Sequence, residues 1–269
     1  MAKYVAEGVD VVVVTLTGGE RGSILNPAMD RPEVHSDIAA YRRLEMARAA
    51  GILGVRHHWL GFADSGFPEG DPPPPLPDGC LATLPLEEAA RPLVALVRQE
   101  RPHVLLTYDE QGGYPHPDHV RCHELSVEAF DAAGDPDRYV GTGQAWAPLK
   151  LYYQHTFHRA KFEALDAGMR ALGLESPYAD RIKTWEDKPG DADRLTTQVL
   201  CAPFFPVRDQ ALLAHATQVD PNSFWFACPL EVQQRSWPTE DFTLARSRVP
   251  TTVPEDDLFA GVRTAGPRS

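Results

Sequence analysis

Val9-Asp-Val-Val-Val-Val-Thr-Leu16, followed at once by Thr17-Gly-Gly-Glu-Arg21, decides the fold class. The β-branched, nearly continuous apolar run has strand length and predicts a strand buried on both faces of a parallel sheet, closed by the glycine pair in a turn. Downstream, Ser36-Asp37 offers an N-cap to a helix whose Ile38, Tyr41, Glu45, Met46, Ala49 and Ile52 recur near every 3.6 residues, with Gly51 and Gly54 as the stop. His57–Phe62 reads as a second strand, Leu93–Arg98 as a helix opened by Pro92 in its first turn, and Val104–Tyr108 as a third strand. Strands alternating with helices predict an α/β fold: a doubly wound, mostly parallel sheet with right-handed crossovers.

Between the second strand and second helix, Phe67–Pro85 contains Pro72-Pro-Pro-Pro75, a stiff extended loop suited to the rim of a cleft. Beyond the third strand the sequence predicts a loop over Asp109–His116, a helix from Pro117 to Ala133 and a strand at Lys150–His155. Helices at Phe162–Leu172, Asp209–Thr217 and Leu230–Trp237 belong to a less regular C-terminal portion. Neither a repeat nor a domain linker interrupts the 269 residues. A single domain is expected, with 1–155 as core and 156–269 completing the cleft.

With 38 acidic against 26 basic residues the net charge is −12, the wrong sign for a nucleic-acid or anionic-membrane surface. Apolar runs such as Val11–Val14 reach no more than about five residues, far short of the roughly 20 that span a bilayer. The first residues lack the apolar segment of a secretory signal, so the expected compartment is the cytoplasm. Cys80, Cys122, Cys201 and Cys228 are widely spaced, as reduced core thiols rather than disulfides or a zinc-binding set.

Chemistry concentrates in Thr107-Tyr-Asp-Glu-Gln-Gly-Gly-Tyr-Pro-His-Pro-Asp-His119, just after the third strand, where open α/β sheets bind ligands. Pro117 suits a first helical turn, which places His116 near the N-cap and His119 on the same side of the helix start. Two readings stand for this pair: one imidazole holds a metal while the other donates to substrate, or His116 caps and His119 packs. His123, one turn on, offers an i, i+4 metal partner or a packed second imidazole; His57 and His58 alternate faces and cannot share an ion. Asp64 and Glu20-Arg21 follow the other two strands at their carboxyl ends and are expected to converge with the histidines on one crevice, where Asp64 with Arg42 suits sugar hydroxyls. No phosphate loop, dinucleotide fingerprint or nucleophile elbow is present.

Thr15–Gly22, Ile24–Asp30, Trp59–Gly66, Gly112–His119 and Leu213–Gln218, taken in order with Trp237–Arg248, resemble the LmbE/PIG-L-type zinc N-deacetylases. The resemblance runs almost end to end and implies a Rossmann-like domain holding one Zn²⁺ with His119 as ligand. It implies His116 as the protonated partner of the oxyanion or leaving amine, oriented by Asp118, Tyr114 as a donor to the scissile carbonyl, and Arg42 and Asp64 against a glucosamine ring. Its nearest branch implies hydrolysis of mycothiol S-conjugates to a mercapturic acid and glucosaminyl-inositol; the alternatives are the deacetylase of N-acetylglucosaminyl-inositol, or a relative without catalysis. The family's His-Pro-Asp-Asp-Glu motif, which supplies two further ligands and the water-activating carboxylate, does not occur among these residues. The expectation is a chain begun at an internal methionine, without the strand that would lie between Val9–Leu16 and Val104–Tyr108.

Overall fold

The computed structural model describes residues 1–186 and 194–263. Along the chain come α1 (Ala2–Ala6), β1 (Val12–Thr17), α2 (Pro32–Ser36), α3 (Ile38–Leu53) and β2 (Arg56–Phe62). Then follow α4 (Leu86–Glu100), β3 (Val104–Thr107), α5 (Pro117–Ala132) and β4 (Lys150–His155). The last third contains α6 (Arg159–Ala171), α7 (Ala179–Lys183), β5 (Thr197–Leu200), α8 (Phe205–Ala214), α9 (Leu230–Ser236) and β6 (Thr239–Ser247). The chain is mixed α/β and forms two compact units, one of Met1–Gly61, Phe157–Lys188 and Leu200–Thr239, the other of Phe62–Thr156, Pro189–Val199 and Glu240–Ser269.

In the first unit β1 pairs with β2. Of the six residues of β1 only Leu16 is buried, so the expected burial on both faces is not reached: among the described residues β2 is its one neighbouring strand. Asp37 caps α3 by accepting from the Ala40 N–H at 3.2 Å, and Gly54, at φ 70°, ends it in a left-handed conformation that costs glycine little. Gly51 lies inside the helix rather than at its stop. The buried face of α3 carries Arg42, Glu45, Ala49 and Ala50, and Ile52 is exposed. Glu45 is satisfied by Thr217, whose N–H and hydroxyl donate to Oε1 at 2.7 Å and Oε2 at 2.8 Å. That clasp explains why α8 spans Phe205–Ala214 instead of the predicted Asp209–Thr217: Pro206 opens the helix early, and the Thr217 N–H is spent on Glu45. Phe162, Leu165, Met169, Tyr178, Cys228 and Val232 form the apolar core beneath α6 and α9.

The second unit holds the sheet β3-β4-β6-β5, with β3 parallel to β4 and β4 antiparallel to β6. β3 is an edge strand of it. Helix α4 begins six residues before Pro92, which lies within it and not at its first turn as predicted. A proline in a helix interior costs about 3 kcal/mol. Burial of Ala89, Ala90, Leu93, Val94 and Val97, on the helix that packs against α5, offsets it. Arg98, also buried, donates to the carbonyls of Ala132, Ala133, Asp135, Arg138 and Tyr139 and so fixes the C-terminal end of α5. The strands β5 and β6 were not legible in the sequence. The C-terminal segment is tied to β4 by a fully buried cluster: Lys150 Nζ meets Glu255 Oε1 at 2.5 Å, and the Tyr152 hydroxyl donates to Glu255 Oε2 at 2.6 Å.

Candidate active site

The site is built on the start of α5. His116 is the N-cap, extended at φ −75° and ψ 132°, and Pro117 occupies the first turn. Its Nδ1 accepts from the Asp118 backbone N–H at 3.1 Å, so the neutral ring carries its proton on Nε2. His119 donates from Nδ1 to the Gly112 carbonyl at 3.0 Å, which leaves a lone pair on Nε2. Burial, with the neighbouring His116 adding to it, pushes the His119 imidazole below its ordinary value despite the opposing bond to Gly112. The two imidazole centroids are 5.1 Å apart.

The loop before the helix aims these rings. Asp109 Oδ1 accepts from the N–H groups of Gln111 at 3.1 Å and Gly113 at 3.0 Å. Gly112, at φ 73°, admits no side chain: a Cβ would stand 2.7 Å from His119 Cβ and 2.9 Å from the Tyr114 carbonyl oxygen. Tyr108 stacks on His119 at 4.3 Å between centroids, and Tyr114 meets His119 edge-on at 4.7 Å. The Tyr114 phenol is raised above its ordinary value, first by burial and then by the charges of Asp64 and Asp118, so it remains a donor.

Asp118 faces the segment after β2. Its Oδ2 accepts from the Ser65 N–H at 3.1 Å, while Oδ1 is buried without a hydrogen-bond partner. Burial, then the neighbouring Asp64, raises the Asp118 carboxyl above the usual range against the hydrogen bonds from Ser65. Asp64 is itself buried and accepts from the Gly66 N–H at 2.8 Å. The second unit therefore brings Asp64, Tyr114, His116, Asp118 and His119 together. Arg42 lies in the first unit, buried, and donates to the carbonyls of Gly22 at 3.0 Å and Ser23 at 3.1 Å. His123 takes neither imidazole's part: it donates from Nδ1 to the Tyr108 carbonyl at 3.0 Å and lies edge-on to Tyr153. Ser65 and Gly112 were missed as site residues, although Phe62-Ala-Asp-Ser-Gly66 and Gly112-Gly113 flank the residues that sequence reasoning chose.

Residues 1–130 match the family model described as PIG-L, GlcNAc-PI de-N-acetylase. Over 266 residues, 98% of this chain and 91% of the relative, the sequence is 53% identical to the mycothiol S-conjugate amidase of Streptomyces coelicolor. The chain belongs to the PIG-L family. A second PIG-L relative, the 1D-myo-inositol 2-acetamido-2-deoxy-alpha-D-glucopyranoside deacetylase of Streptomyces avermitilis, is 37% identical over 273 residues, 97% of this chain and 90% of the relative. Among solved structures the fold is shared with N,N'-diacetylchitobiose deacetylase from Pyrococcus horikoshii, at a TM-score of 0.58 and 18% identity over 90% of this chain and 75% of that one. Amidases and deacetylases alike break an amide bond with water, and this PIG-L chain is a hydrolytic enzyme. No helix among the described residues is long and apolar enough to cross a membrane.

Proposed function

We propose that the protein is a cytoplasmic amidase that hydrolyses the amide of mycothiol S-conjugates, releasing a mercapturic acid and glucosaminyl-inositol. The observation that carries this is the identity of 53% over 98% of the chain to an amidase of that name, against 37% to the deacetylase. In the reaction, water adds to the amide carbonyl carbon and gives up one proton, leaving a tetrahedral oxyanion. As the oxyanion collapses to the carboxylic acid the C–N bond breaks, and the nitrogen keeps that bond's electron pair, takes up the proton the water released and leaves as the glucosamine amine.

The chain supplies donors for both charges. His116, with Nδ1 occupied by the helix start, presents Nε2–H to the oxyanion or the departing nitrogen, and the Tyr114 hydroxyl is the second donor. Donors held in place before reaction stabilise the developing charge without reorganisation. Asp118 acts as a positioning residue, joining the helix start to Ser65. Asp64 is assigned to the sugar.

Zn²⁺, which the resemblance implies, finds one fitting donor here, Nε2 of His119. Catalytic zinc takes three protein ligands, and among the described residues no three His, Cys, Asp or Glu side chains stand together to hold a metal ion. These residues do not fit a catalytic zinc by themselves. Deleting the gene in its host and dosing the cells with a thiol-alkylating bimane tests the proposal. The expected outcome is accumulated mycothiol conjugate and loss of the bimane mercapturate from the medium; undiminished mercapturate overturns it.

A further inference from the structure

Phe67 is 52% exposed, yet it stands on a fixed corner. The residues before it are pinned: Asp64 accepts from the Gly66 N–H, Ser65 N–H donates to Asp118, and Ser65 Oγ accepts from the Ala82 N–H at 3.0 Å. Gly66 turns the chain at φ 70°, and the Leu81 N–H closes the base of the loop on the Ala63 carbonyl at 2.9 Å. The Phe67 ring is 5.8 Å from that of His116 and 6.3 Å from that of Tyr114, itself 53% exposed. An aromatic ring standing in solvent on a pinned corner of backbone, beside the proton donors, forgoes the burial it would gain in a core.

We propose that Phe67 is the wall of an apolar subsite for the sulfur-linked substituent of the conjugate, and so selects thiols capped by aromatic or bulky apolar groups. This rests on the amidase reading. In such a substrate the sulfur is three bonds from the scissile carbonyl carbon, about 4 Å by ordinary bond lengths. With the carbonyl at His116, the substituent begins within reach of the Phe67 ring. An acetyl group ends before it. Offset or edge-on stacking on Phe67 then favours an aromatic substituent over a methyl.

The test is calorimetric binding of the acyl product, which needs no turnover: N-acetyl-S-benzylcysteine against N-acetyl-S-methylcysteine, with the full chain. The benzyl acid is expected to bind roughly tenfold more tightly, Phe67→Ala to abolish that ratio, and Phe67→Trp to keep it. Equal affinities in the unaltered protein, no measurable binding of either acid, or a ratio that survives Phe67→Ala each overturn the subsite. Failure of the amidase reading shows separately, as no mercapturate released from any mycothiol conjugate whatever its substituent.

Discussion

The backbone N–H of Asp118 donates to Nδ1 of His116 at 3.1 Å, so one imidazole both caps α5 and is fixed in the tautomer that offers Nε2–H. The two duties separate by substitution. His116→Ala is expected to lose about 1 kcal/mol of stability with the cap and about 10²–10⁴-fold in kcat with the donor. His116→Asn, a good N-cap, should recover the stability and not the rate. Denaturant unfolding beside steady-state kinetics checks this, and a rate recovered by asparagine would leave His116 as a cap alone.

Tyr114→Phe keeps the ring against His119 and removes the hydroxyl. A loss of about 3 kcal/mol in transition-state stabilisation, read mainly in kcat, is expected for an oxyanion donor. Because burial and two carboxylates hold the phenol above its ordinary value, the contribution should persist to alkaline pH. An unchanged kcat would reduce Tyr114 to packing.

Asp118 gives a pH dependence of stability. Its carboxyl is raised on folding, so the folded chain holds that proton more tightly than the unfolded one. The associated stability is complete below the unfolded value near pH 4 and is lost as pH rises through the folded value. Asp118→Asn cannot ionise and still accepts from the Ser65 N–H. Thermal unfolding should therefore show the variant more stable than the parent at pH 7 and no more stable at about pH 3.5. A difference that does not change with pH would contradict the assignment.

Glu255 neutralises Lys150 where neither side chain meets solvent. Glu255→Ala leaves a buried ammonium unpaired and is expected to cost about 3–5 kcal/mol, and replacing both residues by apolar ones should recover most of that. Urea unfolding of the single and double variants measures the difference. A double variant as unstable as the single one would show that packing, not charge, holds the C-terminal segment to β4.

Zinc retention tests the ligand count. Residues 1–269, loaded with Zn²⁺ and desalted, should keep well under one equivalent by elemental analysis, since one imidazole donor falls short of the three a catalytic site uses. Stoichiometric zinc that survives a chelator would show three donors gathered where the described residues gather one.

The parts of the fold legible in sequence were those with local signals. Asp37 and Gly54 mark the ends of α3, Pro117 marks the start of α5, and Lys150–His155 matches β4. What escaped depended on distant partners. β6 is a strand because β4 pairs with it, Tyr152 opposite Leu244, and α4 tolerates Pro92 because its apolar face is covered. Glu45, read as one step in an apolar stripe, is buried because Thr217 satisfies it, 172 residues away. The site shows the same division. His116 and His119 follow from one tetrapeptide, whereas Ser65 enters the site through its bond to Asp118, a contact the sequence does not announce.

The most direct measurement is made on the protein purified from the cells that produce it. Two amides of the same glucosaminyl-inositol are supplied, a bimane conjugate of mycothiol and the N-acetyl compound, and the mercapturate and acetate released are quantified. A kcat/KM for mercapturate release well above that for acetate is the result predicted here. Acetate released faster, or neither amide cleaved, would contradict it.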